Sequence, residues 1–194
     1  MNCKHSFCLA SGSPRRKQIL ENMGYVFSVV RPVSEERPFP GEDPLSYVKR
    51  AALNKCMEGR QLSLLPVCLS ADTIVILEGA ILGKPEDSQD AQRILGEMSG
   101  REHKVATAVC LSSGQDISSV IVESVVKFRH LSSREIIDYC NTGEPLDKAG
   151  AYGIQGLGSS LVESYRGSFS NIVGLPEQET AEQLSHLGIF PVSL

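Results

Sequence analysis

Ser6-Phe7-Cys8-Leu9-Ala10-Ser11-Gly12-Ser13-Pro14-Arg15-Arg16 reads as a short buried strand that enters a Ser/Gly loop and passes directly into a helix. The apolar run suggests a strand hidden in a sheet. Ser13 before Pro14 makes an N-cap and first-turn pair: the hydroxyl can take an orphan backbone N–H, and proline gives up no donor the helix needs. Ile19, Leu20 and Met23 continue at helical spacing, and Gly24 is a stop. A second strand is expected from Val26 to Val30.

The same reading extends outward from this start. Residues 31–43 are rich in Pro, Glu and Gly and form a loop, after which Asp43 and Pro44 open a helix. Its apolar stripe is Leu45, Val48, Ala52 and Cys56, with Gly59 as its end. Val67 to Leu69 is a buried strand, and Thr73–Leu77 with Ala80–Leu82 flank a Glu78-Gly79 hairpin turn. Ala91, Ile94, Leu95 and Met98 give a helix ending at Gly100. Lys104–Leu111 and Ser118–Phe128 are β-rich, and Ser132 to Glu135 is a capping box. Gly143–Gly158 is a structured Gly-rich loop, followed by a strand from Leu161 to Tyr165 and a last helix from Glu177 to Leu187. Crossover and hairpin connections both occur, so the class is α/β, with a single domain over residues 1–194.

Composition narrows the function. With 41% hydrophobic and 22% charged residues in 194, the chain is ordinary globular material. A formal net charge of −4 argues against nucleic acid as a partner but leaves room for a small phosphorylated ligand met by a local cluster of cations. Among the six cysteines there is no C-x-x-C pair, and Cys8, Cys68 and Cys110 lie in apolar runs where a thiol acts as a small hydrophobe. No apolar run has the length of a membrane span and no secretory leader is visible, so a cytoplasmic protein without a membrane partner is expected.

Five segments carry candidate chemistry. Ser11 to Arg16 combines a helix N-terminus, hydroxyls and two guanidinium groups, which suits an anion; a plain helix cap with solvated arginines fits the segment equally. Asp72 follows a buried run, where a carboxylate needs a cation or metal, although a turn aspartate is the competing reading. Lys55 sits at the edge of its helix's apolar stripe, and Lys84 stands between Gly83 and Pro85; a snorkelling and a solvated lysine are the alternatives. Glu35-Glu36 would join Asp72 around a hard cation such as Mg²⁺ or Mn²⁺, or form an exposed acidic loop. In Glu144 to Gly156, glycines permit close backbone approach, and Asp147, Lys148 and Gln155 offer groups for the edges of a base; a tight β-rich loop with a satisfied internal network is the competing reading. The four histidines are scattered and read as structural or surface residues.

Taken together, the segments Ala10 to Arg16, Ser70-Ala71-Asp72-Thr73-Ile74-Val75, Gly83-Lys84-Pro85, Glu144 to Gly156 and Gly174-Leu175-Pro176 resemble the Maf family, in order and over essentially the whole chain. The resemblance implies an ITPase-like mixed sheet with flanking helices, a deep cleft between two lobes, and commonly a homodimer. It implies hydrolysis of a nucleoside triphosphate to the monophosphate and pyrophosphate with a divalent metal. Carried over by position, Asp72 is the catalytic carboxylate and a metal ligand with Glu36. Ser11, Arg15, Arg16, Lys55 and Lys84 hold the phosphates.

The subclass follows from three positions. Members that resemble 7-methyl-GTP pyrophosphatases carry an aromatic residue in place of Arg15, Gln in place of Thr73 and Glu in place of Gln155. Arg15, Thr73 and Gln155 here resemble the dTTP/UTP branch, with CTP a further candidate substrate. A cationic methylated guanine suits an aromatic plane and a carboxylate; a neutral pyrimidine offers carbonyls and one N–H that amide and hydroxyl groups can meet. Phe169-Ser170-Asn171 and the acidic-loop spacing depart from the family pattern. The competing expectations are 7-methyl-GTP hydrolysis and a non-catalytic nucleotide-binding regulator of cell division.

Overall fold

The computed structural model describes residues 7–33 and 37–192. Its elements in order are β1 (Phe7–Ala10), α1 (Pro14–Asn22), β2 (Phe27–Val30), α2 (Pro44–Leu62), β3 (Val67–Leu77), β4 (Ala80–Leu82), α3 (Ser88–Met98), β5 (Glu102–Ser113), β6 (Asp116–Phe128), α4 (Ser133–Cys140), three short 3₁₀ turns between Glu144 and Leu161, β7 (Val162–Arg166), α5 (Phe169–Val173) and α6 (Glu177–His186). The strands form one seven-stranded sheet in the order β2-β1-β3-β5-β6-β7, with β4 paired to β3. β1 is parallel to both β2 and β3, whereas β3–β4 and β6–β7 are antiparallel, so the sheet is mixed as the α/β reading requires.

The chain divides into two compact units, and β3, β5 and β6 each run from one into the other. The first comprises Met1–Asp72, Thr107–Val122 and Gly174–Leu194. Its core is built from Phe7, Leu9, Leu20, Val48, Leu69 and Leu184, all at most fractionally exposed. The second comprises Thr73–Ala106 and Glu123–Val173, with Leu95, Met98, Val105, Phe128 and Leu161 at its core. Inside it, His103, Phe128 and Tyr152 meet edge to face, at 4.8–5.4 Å between centroids.

Three local readings change on folding. The helix α2 does not stop at Gly59 but runs on to Leu62. Gly59 is there for clearance: a Cβ on it would collide with the Ala10 side chain and come within 2.8 Å of Cys68 Sγ. The two expected strands around Asp72 are one strand of eleven residues, so Asp72 lies within β3 rather than at a strand end. The polar residues that seemed to interrupt it are satisfied by α2: Ser70 Oγ donates to the Ala52 carbonyl at 2.7 Å, and Asp72 pairs with Lys55. The helix α5, over the Phe169-Ser170-Asn171 departure, was not expected; Ser168 Oγ accepts from Asn171 N at 3.1 Å and opens it. The five described cysteines are free and buried. Among the described residues no helix is long and apolar enough to cross a membrane.

Candidate active site

The strand–loop–helix start folds as its residues dictate. Ser13 caps α1 by accepting from Arg16 N, and Ser11 Oγ accepts the Ser13 N–H at 3.1 Å, which turns the loop tightly into the helix. Arg16 then folds back: its Nη1 donates to Ser11 Oγ at 3.3 Å and its Nε to the Gly174 carbonyl at 2.8 Å. Gly174 adopts φ 127°, a conformation glycine accepts readily. Thus the Gly174-Leu175-Pro176 segment, far away in sequence, fixes the arginine that braces the first loop.

Asp72 is the charge to which this arrangement responds. Its residue is 9% exposed, and its Oδ1 accepts from Lys55 Nζ of α2. Desolvation lowers the pKa of the Arg16 guanidinium; the Asp72 carboxylate works against that shift, and the neighbouring Arg15 adds to it. Arg16 and Ser11 share a hydrogen bond and Lys55 and Asp72 an ion pair, and the β1–β3 register, with Ala10 opposite Ser70, sets the two pairs near each other within the first unit, Arg15 preceding Arg16 on α1. A helix N-terminus, a buried hydroxyl, two cations and a carboxylate together can receive a phosphate chain and act as a base beside it.

The other expected site residues stand elsewhere in the chain. Thr73 and Lys84 belong to the second unit, Thr73 half-buried on β3 and Lys84 exposed after β4. Gln155 is exposed in the Gly-rich loop of the same unit. Glu36 lies outside the described residues, as does Glu35. The described end of their loop is anchored by Arg50, which donates from Nη2 to the Arg37 carbonyl at 3.0 Å and to Glu42 at 2.7 Å while lying over the Phe39 ring. Two pockets, of about 360 and 470 Å³, lie in the second unit, and neither is lined by any of the expected phosphate-site residues.

The Gly-rich loop carries the satisfied internal network of its competing reading, built on 3₁₀ turns rather than β structure. Glu144 is its hub: the carboxylate accepts from Tyr139 OH at 2.9 Å, Leu157 N at 2.9 Å and Gly158 N at 3.1 Å. Burial acts to raise the Glu144 pKa, but the two backbone N–H groups and the tyrosine outweigh it and leave the group below its ordinary value. Lys148 closes the loop by donating to the Glu144 carbonyl at 2.7 Å and to Asp147 at 2.6 Å. The clue in the sequence was the run of glycines at fixed offsets, since a Cβ on Gly156 would stand 2.5–2.7 Å from the Glu144 carboxyl group.

A mixed α/β sheet with a capped Ser/Gly loop braced by a distant glycine carbonyl, and a paired lysine and aspartate following the neighbouring strand segment, offers the kinds of donors and carboxylate that phosphorylated small molecules require. The family model described as Maf-like protein matches residues 6–187, and the chain belongs to that family. A dTTP/UTP pyrophosphatase of Shewanella sp. (strain MR-7) is 48% identical, covering 93% of this chain and 97% of the relative. One of Yersinia pestis bv. Antiqua is 49% identical, covering 92% of this chain and 91% of the relative. Among solved structures, a nucleoside-triphosphatase / dITP/XTP pyrophosphatase of Mycobacterium abscessus is similar with a TM-score of 0.48 at 16% identity, over 94% of both chains.

Proposed function

We propose that this chain is a nucleoside triphosphate pyrophosphatase that hydrolyses dTTP and UTP to the monophosphate and pyrophosphate. The observation that carries the reading is the Lys55–Asp72 pair, brought beside the Ser11–Arg16 loop by the parallel β1–β3 register in which Ala10 faces Ser70. The relatives named dTTP/UTP pyrophosphatase, nearly half identical over almost the whole chain, support it.

In this mechanism Asp72 Oδ2, the oxygen not engaged by Lys55, takes the proton of the attacking water. Positioned general bases of this kind contribute roughly 10²–10⁴-fold. Ser11, Arg15, Arg16, Lys55 and Lys84 neutralise the charge that spreads over the phosphoryl oxygens and the leaving pyrophosphate. Arg15, Thr73 and Gln155 select the base.

The donor set suits a divalent cation such as Mg²⁺ or Mn²⁺, which takes oxygen ligands from one or two carboxylates and lets substrate phosphates supply more. Among the described residues no group of three or more His, Cys, Asp or Glu side chains is arranged to hold a metal. Asp72 and Glu36 would be the cation's protein ligands. When bound, it polarises the phosphoryl oxygen and lowers the pKa of water.

The protein in this reading works as a cytoplasmic homodimer on free nucleotides rather than nucleic acid, in keeping with its net charge of −4. Purified protein incubated with a panel of nucleoside triphosphates and Mg²⁺ or Mn²⁺ tests it. Equal amounts of monophosphate and pyrophosphate from dTTP and UTP are expected. Binding of dTTP without product would replace the enzyme by a nucleotide-binding regulator, and preference for 7-methyl-GTP would replace the substrate class.

A further inference from the structure

We infer that Glu144 is a specificity-positioning residue, holding the 153–158 turn in the conformation that presents Gln155 to the nucleobase; this rests on the pyrophosphatase reading above. The loop divides its labour. Its own polar side chains are used internally: Glu144 takes the Leu157 and Gly158 N–H groups and the Tyr139 hydroxyl, while Lys148 closes on the Glu144 carbonyl and Asp147. Tyr139 reaches further in, accepting the Gly153 N–H at 3.3 Å, so both ends of the turn that carries Gln155 are tied to one Glu–Tyr pair. Gln155 itself is exposed, and its amide makes no hydrogen bond to any described residue.

The packing is as specific as the hydrogen bonds. A Cβ on Gly158 would meet Tyr139 OH at 2.6 Å and the Gly153 carbonyl at 2.8 Å, and one on Gly156 would meet the Glu144 carboxyl group. The turn therefore closes directly on Glu144 and Tyr139. Two carboxylate oxygens are required to serve its donors, since a carboxamide would turn an N–H₂ toward one of them. A free amide held on a braced turn suits recognition of a planar base edge, because little ordering remains to be done on binding. Glu144 touches neither base nor phosphate in this scheme and acts through Gln155.

The test measures kcat/KM for dTTP and for GTP in wild type, Glu144→Gln, Gln155→Ala and the double variant. Glu144→Gln is expected to lower the dTTP-over-GTP preference by about tenfold, the equivalent of one or two lost hydrogen bonds, with the loss carried by KM. Gln155→Ala should lower it similarly, and the double variant no further than the worse single one. Tyr139→Phe removes one support and should act in the same direction to a smaller degree, which keeps the question open to test if Glu144→Gln does not fold. An unchanged preference in a folded Glu144→Gln (or, if that variant does not fold, in Tyr139→Phe), or losses that add in full, overturns the positioning role. A wild-type protein inactive toward dTTP and UTP overturns the pyrophosphatase reading itself, a result distinct from either of these.

Discussion

The Lys55 ammonium on α2 donates to the Asp72 carboxylate on β3, and Ser70 ties the same helix and strand together through the Ala52 carbonyl. Helix and strand are thereby locked in register at the point where the proposed base sits. Both charges are only partly open to solvent, so each depends on the other.

Lys55→Met should leave the Asp72 carboxylate largely buried without its cation and cost about 1–3 kcal/mol of stability, the penalty for an unsatisfied buried group. Adding Asp72→Asn removes the stranded charge, and the double variant should regain part of that loss. Denaturant unfolding of the three variants measures the coupling; fully additive losses would mean that the pair carries no interaction energy.

Asp72→Asn alone keeps an acceptor for Lys55 but removes the proposed base. Turnover of dTTP should fall by roughly 10² or more, with a thermal midpoint close to that of wild type. Near-normal turnover in a folded variant would remove Asp72 from the chemistry.

Gly59→Ala sets two effects against each other. Alanine is the better helix former by about 1 kcal/mol, but its Cβ would press on Ala10 and Cys68 Sγ beneath α2. Overpacking costs about 1–3 kcal/mol, so the variant should have a lower thermal midpoint than wild type. A rise would show that α2 can move away from β1 and β3 at little cost.

The same glycine marks the boundary of what the sequence discloses. Punctuation by local chemistry reads well: Ser13-Pro14, Asp43-Pro44 and Ser132 to Glu135 all cap the helices they announce. Reading Gly59 as a stop fails because its reason is a neighbour in space, Ala10, rather than the chain's own turn. Asp72 is legible as a carboxylate that needs a cation but not as a residue inside a continuous strand, since Lys55 and Ala52, which make Ser70 and Asp72 tolerable there, lie on another element. The hub role of Glu144 was hidden for the same reason: its partners at 139, 157 and 158 converge only when the 3₁₀ turns form.

Stability should depend on pH through His103. Its ring is 2% exposed, its Nε2 lies 2.9 Å from Tyr152 OH, and desolvation lowers its pKa from 6.5 to about 4. Between those values the unfolded chain binds a proton that the folded chain does not, so stability falls as the pH drops through this window, by up to about 3 kcal/mol. His103→Phe should be less stable at pH 7, because the Tyr152 hydroxyl loses its partner, yet should show a flatter pH dependence between 6.5 and 4.5. Equal slopes for both proteins in urea unfolding would exclude His103 as the group responsible.

Substrate choice should follow the three subclass positions. Arg15→Trp with Thr73→Gln and Gln155→Glu supplies an aromatic plane and a carboxylate for a cationic base. The triple variant should gain activity toward 7-methyl-GTP relative to dTTP in a competition assay. An unchanged substrate profile would place base selection elsewhere.

Hydrolysis of dTTP in ¹⁸O-labelled water, with the products separated and weighed, reports where the attacking oxygen ends up. Attack at the α-phosphorus puts the label in dTMP and leaves pyrophosphate unlabelled, and Asp72→Asn should suppress that product. Label in the pyrophosphate, or release of orthophosphate with dTDP, would show that the Asp72 centre does not perform this reaction.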